Sequence, residues 1–264
     1  MGGALSLGLG REGTAGGDPG FRLEVGSVLR RSFQVWAANL VPFSLVGLVA
    51  YLPVLFLIWL LAGMDAMTAS TERLVDIVSN LFTLLITGAV TYGVFRHLHG
   101  ERAEAREVLR VGLSRFGAVW AAGILFGIAL LVGFCLFVIP GLVVIARYWI
   151  AVPIAVIESP GASASLQRSQ ELTEGNRWRV FAIAILMGLV TILSMIVLGV
   201  AVGMLTGAWS DEAGAATPPL TQALITIVMI PIQCLTSVAP VIVYHDLRVG
   251  KEGVDVEELL RVFE

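Results

Sequence analysis

Three histidines and an aspartate are the side chains of this chain best suited to metal binding or acid–base chemistry. His97 and His99 are two residues apart, and Asp246 directly follows His245. Residues i and i+2 of a helix point in different directions, so one helix cannot present both His97 and His99 to a metal ion. The chain also has no Gly-x-Ser-x-Gly, His-Glu-x-x-His or phosphate-cradling glycine loop. These patterns predict a protein without a catalytic residue, a metal site or a cofactor.

A second candidate for function is an arginine inside an apolar segment. Arg147 lies within the run 142–157, and Asp76 and Asn80 lie one helical turn apart near the start of another apolar run. A charge at the centre of a membrane helix costs about 2.5–3.5 kcal/mol by the lowest estimates, so such a residue usually has a partner. We expect an Arg147–Asp76 pair, with Asn80 as a further hydrogen-bond partner, that clamps two hairpins together. A role in substrate binding is the alternative.

The composition explains why a membrane is expected. The 264 residues are 57% hydrophobic and 14% charged, and the mean hydropathy is +0.87. Soluble domains are about 45–50% apolar and about 25% charged, so this chain has too little polar surface for water. Six apolar segments predict transmembrane helices that pair as three hairpins, at residues 40–61, 74–95, 118–138, 142–157, 180–205 and 220–244.

A polar segment with helical spacing of its apolar residues precedes each hairpin. The three segments start near residues 21, 96 and 160, and each predicts an amphipathic helix at the membrane interface. The first and third also share a short repeat. The residues 29–32 (LRRS), followed by Asn39, match the residues 166–169 (LQRS), followed by Asn176. The predicted fold is therefore an all-α membrane protein of three parallel units with a candidate pseudo-threefold axis.

Arginines are concentrated in the polar segments and the tail. The positive-inside rule then predicts that both chain ends are cytoplasmic. An additional role in binding anionic lipid head groups is open, because each such charge gains about 1 kcal/mol near an anionic leaflet. The candidate lipid contacts are Arg30, Arg31, Arg110, Arg168, Arg177 and Arg179.

The chain divides into three parts by composition. Residues 1–20 are rich in glycine and predict a disordered cytoplasmic tail. Residues 21–247 form the predicted six-helix membrane domain. Residues 248–264 are charged and predict a cytoplasmic tail, with a short helix at 254–263.

Three stretches between residues 140 and 248 also resemble a known family. The residues concerned are Pro140-Gly141 with Arg147 and Pro153, Leu172-Thr173 with Gly175-Asn176-Arg177-Trp178, and Tyr244-x-Asp246-Leu247-Arg248. Here the chain resembles the membrane domain associated with some glycerophosphoryl diester phosphodiesterases and the YciC-like bacterial inner-membrane proteins. The resemblance covers roughly residues 21–260 and implies six helices in a bacterial inner membrane. It implies no settled activity, and the phosphodiesterase domain of the fused members is not found in this chain.

Two functions agree with these observations, and a third lacks its residues. The first is a non-catalytic integral membrane module that organises or assists a partner in lipid or envelope metabolism. Its expected partners are membrane lipids and a membrane protein or a second copy of the chain, and no nucleic acid. The alternative is a transporter or permease-like subunit with a path between the hairpins. An integral enzyme acting on lipids is not expected, because its catalytic residues are missing.

Overall fold

The computed structural model describes residues 21–100, 104–206 and 218–253, and nearly all of them are helical. In chain order the helices are α1 (Val25–Ala38), α2 (Leu40–Gly63), α3 (Ala69–Leu98), α4 (Ala105–Leu136), α5 (Val138–Tyr148), α6 (Ala151–Ile157), α7 (Ala162–Thr173), α8 (Arg177–Thr206) and α9 (Pro219–Glu252). Six segments are long and apolar enough to cross a membrane, with α5 and α6 together forming one of them. The predicted all-α membrane protein is therefore confirmed.

The fourth span is divided by a proline. Helix α5 ends at Tyr148 and α6 begins at Ala151, and Pro153 lies in the first turn of α6. Proline has no N–H, and its ring collides with the carbonyl of the residue four positions earlier, which here is Trp149. A continuous helix through Trp149 is therefore disfavoured. Helix α5 alone, with 11 residues, is only about 16 Å long.

The three polar segments do not fold alike. Helices α1 and α7 are separate from the spans that follow them. Asn39 ends α1, and Gly175 turns the chain after α7 with a φ of +76°. The middle segment is different, because it forms the first turns of α4, a continuous helix of 32 residues. The prediction of a separate second interfacial helix is thus wrong, since no proline or left-handed glycine interrupts residues 105–136.

Each polar segment packs against a hairpin of a different unit. Helix α1 contacts α9, the start of α4 contacts α3, and α7 contacts α6. Two arginines matched in the repeat also have similar contacts. Arg31 of α1 pairs with Asp246 of α9, and Arg168 of α7 pairs with Glu158 at the end of α6. Each of these arginines thus pairs with a carboxylate at the end of another unit's hairpin.

The core lies where α3, α6 and α9 meet. Six of the seven residues of α6 are buried, from Ala151 to Ile157. The second half of α3 and residues 234–244 of α9 are almost continuously buried beside it. Phe95, Ile154 and Ile242 have no exposed surface and fill the space between the hairpins. In the described part of the chain this centre is packed and apolar.

The two ends of the described chain lie together. Helix α9 continues to Glu252, so Arg248 and Lys251 belong to that helix and not to a tail that starts at residue 248. The ring of Phe21 occupies the space where a side chain at Gly250 would be. The predicted tail at 1–20 and helix at 254–263 lie outside the described residues.

Candidate functional site

One end of the bundle holds most of the side-chain hydrogen bonds between distant parts of the chain. We call it the charged end, and define it by α1, α7, residues 92–98 of α3 with His99 after it, Glu158, and residues 244–252 of α9. Its backbone elements come from all three units. The polar side chains there are half-buried, so their pairing affects how the hairpins are held together.

Glu158 is the acceptor at the centre of the charged end. It directly follows α6, where it accepts a hydrogen bond from the Tyr244 hydroxyl at 2.9 Å. Its carboxylate also lies 3.3 Å from Nε of Arg168 and 3.3 Å from Nη1 of Arg248. One carboxylate thus joins α6, α7 and α9. Its side chain is only 18% exposed, so these contacts are largely shielded from water.

Arg168 makes the second strong contact of α7. Its Nη2 donates to both carboxylate oxygens of Glu252, at 2.5 and 2.7 Å. Burial acts to lower the pKa of the Arg168 guanidinium, but the hydrogen bond to Glu252 and the charges of Glu158 and Glu252 outweigh it, so the pKa is raised. Arg168 is therefore a fixed cation that holds two carboxylates from different helices.

A second ion pair anchors α1. The Arg31 guanidinium donates to the Asp246 carboxylate, and His245 Nδ1 lies 3.5 Å from the same carboxylate. Asn176 fixes the chain just before α1, because its side chain accepts from the Leu23 N–H at 2.9 Å and donates to the Phe21 carbonyl at 3.0 Å. These contacts attach the first unit to the third.

The histidines face different parts of the structure. His97 Nδ1 lies 3.2 Å from the side-chain nitrogen of Asn39, whereas His99 faces the Phe95 carbonyl and the ring of His245. Within residues 21–100, 104–206 and 218–253, no group of three His, Cys, Asp or Glu side chains is arranged to hold a metal ion. The charged end thus has the geometry of an ion-paired clamp.

The predicted Arg147–Asp76 pair is not formed. Asp76 is exposed near the start of α3, and Asn80 donates to its backbone carbonyl at 2.9 Å. Arg147 lies instead at the far end of the short helix α5, where its carbonyl accepts a hydrogen bond from the Ser169 hydroxyl of α7 at 2.7 Å. Arg147 is the tenth of the 11 residues of α5. It therefore lies at the end of that helix that meets α7, and not near the start of the span.

Ser169 explains why a polar helix can pack against α5. A regular helix would satisfy the Arg147 carbonyl with the N–H of Ala151, but the helix is interrupted between α5 and α6. The hydroxyl of Ser169, which is completely buried, takes the place of that N–H. Nε of Arg147 is buried and has no hydrogen-bond partner in the described structure.

The six arginines proposed as lipid contacts separate into two groups. Arg31 and Arg168 are held by carboxylates of the chain. The other four have no hydrogen bond or ion pair with any described side chain. Of these, Arg30 and Arg110 are exposed, and Arg177 and Arg179 are half-buried. Only this second group remains available for an anion from outside.

Sequence reasoning missed the central residues Glu158 and Glu252. Both are joined through Tyr244 and Arg248, since the Tyr244 hydroxyl donates to Glu158 and accepts from Arg248 at 2.6 Å, and Arg248 also faces Glu252. One signal was present in the sequence, because Tyr244, Arg248 and Glu252 are spaced by four and share one helix face. No comparable local signal identifies Glu158, whose partners are distant in sequence.

Comparisons with known proteins do not add to this geometry. No protein-family model, no curated protein and no solved structure matches the chain. The resemblance to the membrane domain of glycerophosphoryl diester phosphodiesterases therefore stays a prediction that rests on the sequence motifs alone.

Proposed function

We propose that this protein is a non-catalytic integral membrane module that organises or assists a partner. The observation that carries the proposal is the packed centre of the bundle. The space between the hairpins is filled by fully buried side chains such as Ile154, Val238 and Ile242, while the strong polar groups are used to hold helices to one another at the charged end. Such an arrangement favours a rigid scaffold.

The same packing is unfavourable for the alternative, a transporter or permease-like subunit. A path between the hairpins requires polar groups that converge at mid-membrane. The hydroxyl groups of the described spans mostly donate to a carbonyl four residues earlier in the same helix, as Thr91 and Thr191 do. They are thereby satisfied internally, which supports a structural role.

The resemblance seen in the sequence supplies the setting of the proposal. It supports a bacterial inner membrane, with lipid or envelope metabolism as the process and a membrane protein or a second copy of the chain as the partner. A rigid bundle with broad apolar faces on α2 and α8 is suited to such an association. Trp59 of α2 is 68% exposed, and Met195 of α8 is 64% exposed.

Site-specific photocrosslinking tests the proposal. A photoreactive amino acid is placed at exposed positions one turn apart, Phe56 and Leu60 on α2 and Ile192 and Ile196 on α8, and the protein is irradiated in its native membrane. A protein partner is expected to give a crosslinked product of the same mass from both positions on one helix face. A second copy of the chain would give a product of twice the chain mass. Lipid adducts alone at every position would contradict the proposed association.

We also propose that both chain ends face the cytoplasm. The arginine distribution supports this orientation, and the contact of Phe21 with Gly250 supports a common side for both ends. The test uses single cysteines at Ser70, in the first turn of α3, and at Glu104, directly before α4. Cys135 must first be replaced by serine because it is exposed.

An impermeant thiol reagent added outside intact cells with a permeabilised outer membrane is expected to label Ser70→Cys. Glu104→Cys should react only after the inner membrane is opened. The reverse pattern would show the opposite orientation, and the protein with Cys234 alone serves as the unlabelled control because that thiol is buried.

A further inference from the structure

A groove on the side of the bundle lies between α4, α5 and α8. Its volume is about 400 Å³, and all of its walls are apolar side chains or glycine. Its lining comes from Phe126 and Leu130 of α4, Ile145 of α5 with Trp149 just after that helix, and Gly188 with its neighbours on α8. An open apolar groove on a membrane-spanning surface is suited to a hydrocarbon chain.

The groove has the length of one membrane leaflet. On α8 it extends from Ala184 to Ile192, which is about 12 Å along a helix. The hydrocarbon of one leaflet is about 15 Å thick, half of the bilayer core. Trp178 lies beyond the groove toward the charged end. It is 79% exposed and packs edge-on against Phe181, as tryptophan does at head-group level.

Arg177 stands above the groove on the same face of α8. It precedes Ala184 by seven residues, which is close to two helical turns, or about 10 Å toward the charged end. Its Nε is buried and has no hydrogen-bond partner in the described structure. Lys251 lies within electrostatic range of Arg177, and also of the carboxylates of Glu174 and Glu252. Arg168 of α7 is already occupied by Glu158 and Glu252.

We propose that this groove binds an anionic phospholipid, with an acyl chain between α4, α5 and α8 and the phosphate at Arg177. The apolar walls match the chain, and the unsatisfied guanidinium matches the phosphate in charge and in hydrogen-bonding geometry. Arg179 is not part of the site, because it lies on the opposite side of α8 beside the start of α1.

Native mass spectrometry of the full chain in detergent tests the proposal by titration with dioleoyl phosphatidylglycerol and dioleoyl phosphatidylcholine. Arg177→Gln is expected to raise the Kd for phosphatidylglycerol about fivefold, because one basic residue contributes about 1 kcal/mol to binding at an anionic head group. Arg177→Lys should lose less affinity than Arg177→Gln, because it keeps the charge but not the planar hydrogen-bonding geometry of the guanidinium. Arg30→Gln is the matched control, since Arg30 is exposed on α1 and also has no partner among the described side chains.

A pair of glycines on α8 tests the acyl chain separately. A Cβ at Gly188 or at Gly199 meets nothing within 4 Å, so a side chain can begin at either position without a clash, but only Gly188 lines the groove. Gly188→Leu should weaken both lipids, and Gly199→Leu should weaken neither. Unchanged affinity for phosphatidylglycerol in Arg177→Gln or Gly188→Leu would overturn the proposal.

Two further results would also overturn it. Equal losses in Arg177→Gln and Arg177→Lys would trace the effect to the fold and not to the charge. Displacement of phosphatidylglycerol by millimolar inorganic phosphate would indicate a small-anion site without an acyl chain. Persistence of the bound lipid in phosphate is the expected result.

Discussion

Glu158→Ala is expected to lower the free energy of unfolding by about 3 kcal/mol, the scale of breaking a largely buried ion pair. The substitution removes the common acceptor of Arg168, Arg248 and the Tyr244 hydroxyl. It therefore leaves two guanidinium groups with Glu252 as the one carboxylate of the described residues that both of them still contact. Because Glu158 joins α6, α7 and α9, the loss should appear as a global destabilisation, measured by denaturant unfolding in detergent micelles.

Glu171→Ala is the matched control for this prediction. Glu171 is a carboxylate on α7 that also faces Arg168, but its nearest oxygen is 3.9 Å away and its side chain is 53% exposed. Exposed ion pairs contribute about 0–1 kcal/mol, so this variant should unfold almost like the parent protein. Similar losses in both variants would show that burial of Glu158 does not determine its contribution.

Gly112→Ala should destabilise the protein by about 2 kcal/mol, within the range for overpacking a well-packed contact. Gly112 is buried in α4 where that helix touches α3. An added Cβ would lie 2.8 Å from the Cβ of Ala89 and 3.1 Å from its Cα. The backbone cannot move aside as a flexible side chain does, so α3 and α4 would have to separate.

Gly117→Ala, on the same helix, is expected to change the free energy of unfolding in the opposite direction. A Cβ at Gly117 meets nothing within 4 Å, and alanine favours a helix interior over glycine by up to about 1 kcal/mol. This variant should therefore be as stable as the parent or more stable in the same unfolding measurement. A stabilising Gly112→Ala would mean that α3 and α4 are not in close contact at Ala89.

Features that depend on neighbouring residues were well predicted from the sequence. The six spans follow from runs of apolar residues, and the separate helices α1 and α7 follow from helical spacing with breaks near Asn39 and Gly175. Within the repeat of residues 29–32 at 166–169, Arg31 and Arg168 both pair with a carboxylate of another unit. At residues 105–116 the same spacing wrongly predicted a separate helix, because amphipathic periodicity does not show whether a helix ends before the span begins.

The amino-acid sequence by itself determined that the chain is an all-α membrane protein of six spans, because hydropathy and helical periodicity are local properties. Only the tertiary structure decided which charges meet. Arg147 was expected beside Asp76 from its distance along a straight span, yet the interruption before Pro153 shortens α5 and brings its end to Ser169. The pair of Arg168 with Glu158 was likewise not predictable, because ion pairing depends on which helix ends lie close together in space.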